Sequence, residues 1–162
     1  MNTIETTLQI WDWNRERTLT TLDSTAEFGD PQEVLGWRPG PERAHIAWQM
    51  MHIGITEELF ATERFTGSKP DFADLVPRFR GGSTPDENIP SVDQIRDLLD
   101  GSRQHLLATV SGFSEQDLET ISDGLLDKPG WTIGKALRVI TWHEAHHQGQ
   151  VHITLNLFKA KA

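Results

Sequence analysis

The sequence predicts an all-α fold, a four-helix bundle with a long crossover between its second and third helices. Three observations predict it. Four segments repeat apolar residues at helical spacing, none sustains a two-residue alternation, and a proline- and glycine-rich stretch over residues 66–90 separates the first two helices from the last two. At 162 residues the chain is read as one domain, 1–162, long enough to bury a core without disulfide staples.

The first helix runs from about Thr3 to Leu22, with Ile4, Leu8, Trp11, Leu19 and Leu22 on one side and Arg15 interrupting that side. "FGDPQEVLGWRPGPE" is turn-rich, and its last prolines suit a helix start. The second helix is therefore expected to open near Pro41 or Glu42 and to run to about Phe65, with Ala44, Trp48, Ile55 and Leu59 as its stripe. The crossover "TGSKPDFADLVPRFRGGSTPDENIP" holds four prolines and three glycines, and irregular segments of such length often serve as a lid or a lip. Ser91 caps a third helix with Gln94 as its capping-box partner. Val92, Ile95, Leu99, Leu106 and Val110 mark its buried side, and it ends at Gly112. "FSEQDLE" adds one helical turn and "SDGLLDKPGW" is a link. Thr132 then caps a fourth helix reaching about Phe158, whose core stripe is Ile133, Ala136, Ile140, Val151, Thr154 and Phe158.

Charge and composition narrow the function. A net charge of −9 and a sequence pI near 5.1 repel a nucleic-acid backbone and an anionic membrane. The expected partner is a small-molecule substrate, with no nucleic acid and no membrane. The chain has no cysteine, which excludes disulfides, thiolate metal ligands and a cysteine nucleophile, so any thiol chemistry must take its thiol from outside. Six tryptophans accompany no tyrosine, so no phenol is available as an acid or oxyanion donor. "MNTIETTLQIWDWNRERTL" lacks a basic segment followed by an apolar core, and no apolar run approaches the roughly 18 residues of a membrane span. The expected location is the cytoplasm.

The fourth helix carries "TWHEAHHQGQ". On a helical wheel His147 falls inside the apolar stripe and His143 at its edge, so the two offer nitrogens to one point in the bundle interior. His146 lies to the side and His152 faces solvent. Glu144 sits on the other flank, either solvated or acting as a ligand-supporting group or general base. Two imidazoles rarely complete a site. A third is expected from the second helix, where His52 is nearer the inward line than His45. His105 reads as surface, Trp11, Trp48 and Trp142 as packing residues, and Trp13 as pointing outward. HExxH is also a metalloprotease pattern. Here no third ligand follows at protease spacing, and no strand is expected to present a substrate.

"GWRPGPERAHIAWQMMHI" and "GWTIGKALRVITWHEAHHQGQ" resemble the two signature blocks of the DinB/YfiT-like superfamily of small metal-binding four-helix proteins, and the likeness covers most of the chain. The resemblance implies a divalent metal held by His52, His143 and His147 at an open end of the bundle. The metal is expected to be zinc or nickel, with manganese and iron also suited to imidazole donors. It further implies a homodimer and an activity on low-molecular-weight thiols, in which the thiol is a cosubstrate added to an electrophile. His45 and Trp48 would line the cosubstrate pocket and Glu144 would act as base. Where relatives often carry arginine after the double histidine, this chain has Gln148. Arg78 and Arg80 in the crossover read as surface residues, with contact to an anionic group as the alternative. Two other readings compete: a metal-dependent hydrolase of a small molecule, and a non-catalytic, metal-stabilised, stress-linked interaction module.

Overall fold

Side-chain caps decide where the helices begin. In the computed structural model, which describes residues 2–161, α1 (Thr3–Ser24) opens on an Asn2–Glu5 capping box. A short helix not foreseen in the turn-rich segment, α2 (Pro31–Gly36), follows, with Asp30 as cap and Pro31 in its first turn. α3 (Ile46–Leu59) starts later than expected. The prolines at 39 and 41 stay outside it because His45 is the N-cap, its Nδ1 accepting the Trp48 N–H at 3.0 Å. The helix then continues into a π-helical turn over Phe60–Arg64. The crossover contains one short helix, α4 (Val76–Phe79). α5 (Val92–Val110) opens on the expected Ser91–Gln94 box. α6 (Ile133–Lys161) begins beside Thr132, whose hydroxyl accepts the Lys135 N–H at 3.2 Å.

Contacts along the helices fix their directions. Gly54 faces Leu98 and Ser102, Glu57 meets Arg103, and Glu58 meets His105, so α3 and α5 run parallel. The long crossover exists to permit this, because parallel neighbours cannot be joined by a tight hairpin. Trp11 bonds Thr141, Arg15 meets Glu144 and Gln148 reaches Thr21, so α1 and α6 are parallel as well. α3 packs antiparallel to α6, with Gln49 at the level of His147 and Thr56 at that of His143. The bundle is thus up, down, down, up, with no strand among the described residues.

The core is divided by charge. One apolar cluster collects Ile46, Met50, Ile53 and Ile55 with Leu98, Val151 and Leu155; the other collects Trp11, Phe60, Leu106, Ile133 and Ile140. Between them every long helix contributes one buried ion: Arg15 from α1, Glu57 from α3, Arg103 from α5 and Glu144 from α6. The sequence marks Arg15 only as an interruption of the stripe, whereas it is a member of this layer. Two further expectations are corrected. Trp142 is 59% exposed rather than packed. His105 is half-buried, its Nδ1 3.1 Å from both oxygens of the fully buried Glu58, which also accepts the Asp71 N–H at 2.7 Å and so ties the crossover to the bundle.

The link before α6 is clamped against the π-helical turn. Arg64 donates to the Gly124 carbonyl and to Asp127, each at 2.8 Å, and the Ser122 hydroxyl donates to the Arg64 carbonyl. The approach is close enough to require glycine: a Cβ on Gly124 would stand 2.1 Å from the Glu63 carbonyl oxygen. Gly124→Ala is expected to destabilise the fold by about 1–3 kcal/mol, because backbone has to move to relieve the overlap. Urea unfolding checks this, and an unchanged midpoint would show that the link is not seated here.

Candidate metal centre

Antiparallel packing of α3 against α6 sets His52 opposite a pair of histidines one turn apart. His52 Nε2 lies 3.1 Å from His143 Nε2, close to the roughly 3.3 Å between two ligands of one tetrahedral zinc-like ion. One ring nitrogen from each of His52, His143 and His147 falls within 4.8 Å of the others. The ring centroids are 4.8 Å apart for His52–His143, 4.7 Å for His52–His147 and 4.5 Å for His143–His147.

Two of the three outward nitrogens are already committed. His52 Nδ1 donates to the Phe79 carbonyl at 2.6 Å, and His147 Nδ1 donates to Gln49 Oε1. A proton held on Nδ1 leaves the Nε2 lone pair facing inward, which is how metal-binding histidines are commonly oriented. The Trp48 ring stacks on His52 at 4.7 Å with 15° between the planes, and its Nε1 is anchored on the Arg78 carbonyl and the Ser83 hydroxyl, both at 3.2 Å. His143 has the Thr56 hydroxyl 3.4 Å from Nε2.

Electrostatics keep the three rings neutral. Burial lowers the His52 pKa, opposed in part by the bond to Phe79. Burial, then repulsion from His147, His52 and His146, brings His143 down to about 3. Burial, then His52 and His146, brings His147 down to about 4. Neutral imidazole is the form that gives its lone pair to a metal, so this donor set fits a divalent ion that accepts nitrogen ligands.

The cluster is open on one side. A cavity of about 380 Å³ adjoins His52 and His143, with Thr56, Arg80, Phe60 and Trp131 among its walls. His45 and Trp48 do not line it. Both ring nitrogens of His45 are used, one as the cap of α3 and the other 2.9 Å from the Asp86 carbonyl oxygen, and Trp48 braces His52 from behind. Glu144 is not a solvated flank residue. It is buried, with its carboxylate committed to Arg15, Arg103 and Thr18, so its oxygens serve the ionic layer. His146 and His152 are exposed, as expected. Arg78 and Arg80 separate: Arg78 grips Asp86 through two bonds of 2.9 Å, and Arg80 stands at the cavity.

Two supports of the cluster went unread in the sequence. Gln49 sits three residues before His52 on the same helical face, a spacing that could have flagged it. The Phe79 carbonyl is backbone and carries no residue-type signal.

The description "DinB superfamily" belongs to a family model that matches residues 10–151. A crystal structure of a conserved protein from Enterococcus faecalis is similar with a TM-score of 0.78, covering 97% of this chain and 97% of that one at 19% identity. That likeness is one of fold. No curated protein matches the sequence. No helix among the described residues is long and apolar enough to cross a membrane.

Proposed function

This chain belongs to the DinB superfamily, and from that premise we propose that it holds one divalent metal ion on His52, His143 and His147 and transfers a low-molecular-weight thiol to an electrophile. The observation that carries the reading is the cavity beside the histidines: a purely structural metal would be enclosed by a fourth protein ligand, whereas a catalytic one keeps a position open. When bound, the ion supplies the charge that lowers the pKa of a coordinated thiol into the neutral range. The chain does the positioning. Phe79 and Gln49 hold the protons of His52 and His147 on their outward nitrogens, and Trp48 fixes the plane of the His52 ring. With no cysteine of its own, the protein takes its nucleophile as a cosubstrate.

Hydrolysis of a small molecule is the second reading, favoured by the Thr56 hydroxyl at the cavity wall, which can orient a water beside His143. Neither reading uses Glu144 as base. The test is a screen of metal-loaded protein with several small thiols and a chlorodinitrobenzene-type electrophile. The expected rate requires both metal and thiol and disappears in His147→Ala. A rate indifferent to both removes the transferase, and turnover of an ester without thiol selects the hydrolase.

A further inference from the structure

Three cationic residues line the cavity beside the histidines, Arg64, Arg80 and Lys128, and no carboxylate does. That balance runs against the chain, which has 24 acidic and 15 basic residues. Arg64 spends its charge on Asp127. Among the described residues Arg80 and Lys128 join no ion pair, although Arg78 in the crossover and Arg38 before α3 are both paired with crossover carboxylates, Asp86 and Glu87. Arg80 is also placed rather than incidental. It opens a tight turn closed by the Ser83 N–H to the Arg80 carbonyl at 3.1 Å, in which Gly82 takes a φ of 87°, the left-handed region that favours glycine. The turn brings Gly81 against the histidine cluster: a Cβ there would sit 3.8 Å from His52 Cε1. Arg80 is therefore the cation next to the histidine end of the cavity. Part of the wall is apolar, formed by Trp131 with Phe60 stacked at 6.5 Å, and Lys128 Nζ lies 5.4 Å from the Trp131 ring.

We infer that the molecule bound beside the histidines is a small organic anion. Its carboxylate, sulfonate or phosphate is held by Arg80 with Lys128 behind it, and its carbon skeleton lies on Trp131. This rests on the proposed metal centre and adds the class of ligand that the centre accepts. An oxyanion recovers here the charge-assisted bonds that two unpaired cations lack, and the cavity's apolar walls strengthen them relative to open water.

The test compares 3-mercaptopropionate with 3-mercapto-1-propanol, two thiols of similar length that differ in the anionic group, by calorimetric titration of zinc-loaded protein whose metal content is measured separately. The acid is expected to bind about fivefold more tightly than the alcohol, the size of a partly exposed charge pair. Arg80→Ala should bring the ratio close to one while leaving metal content and the alcohol's affinity unchanged, and Arg80→Lys should retain part of it. Arg80 is exposed, so the variant is expected to fold. Equal or absent binding of the two thiols at one zinc per chain, or an unchanged ratio in Arg80→Ala, overturns the inference while the metal centre stands. A wild-type protein that takes up no metal overturns the centre and the inference together.

Discussion

Arg103→Met is expected to destabilise the protein by about 3–5 kcal/mol, the cost of leaving a buried charge without its partner. Arg103 lies between two carboxylates: it donates to Glu57 Oε1 at 2.6 Å and to Glu144, while a further N–H reaches the Trp11 carbonyl at 2.8 Å. The acceptors Glu57 and Glu144 have side chains 2% exposed. Removing the guanidinium leaves two buried carboxylates sharing Arg15 alone. Neutralising one of them as well, in Arg103→Met with Glu144→Gln, should cost less than the sum of the two single changes, because the pair is coupled through one contact. Urea unfolding of the four proteins measures this, and strict additivity would show that the layer is not a unit.

The same layer sets a pH dependence. Burial raises the Glu57 pKa, but Arg15 and Arg103 outweigh it and hold the group below its ordinary 4.5. A depressed carboxyl contributes stability that is complete above the unfolded pKa and is lost as pH falls through the folded one. Wild-type stability should therefore hold down to about pH 4.5 as far as Glu57 is concerned and decline below it. With one guanidinium gone, Arg103→Met should begin its acid unfolding at higher pH.

The second large effect falls on the histidines. His143→Ala is expected to abolish stoichiometric metal, since the two remaining imidazoles sit on different helices and, among the described residues, no further histidine or carboxylate joins the cluster. Gln49→Ala should act more mildly. It removes the acceptor that orients His147 but leaves all three nitrogens, and changes to such outer partners typically cost about 10–100-fold in metal affinity. Elemental analysis after gentle purification, followed by competition with a chelator, separates the two outcomes. Full metal retention in His143→Ala would remove the centre from these residues.

The histidine cluster was largely legible because its information is local. His143 and His147 are four apart on one helix, so their shared face follows from the helical repeat alone. His52 follows in the same way from its phase relative to the apolar residues of its own helix. His45 failed that logic. A histidine just outside a helix start reads as a helix residue until the backbone places it, and here it is the cap.

By itself the sequence determined the all-helical class, the Ser91 and Thr132 starts, the crossover that parallel helices need, and an external source for any thiol. What the charged residues do depends on how the helices pack. Arg15 and Glu144 stand 129 residues apart, and Arg15 and Glu57 stand 42 apart. The phase of a residue on its own helix says whether it points inward, but not whether an opposite charge will meet it there. Burial of an ion is favourable only when that partner is present. Arg15 therefore read as an interruption and Glu144 as a flank residue, until four helices brought their charges to one level and joined them into the layer that divides the core.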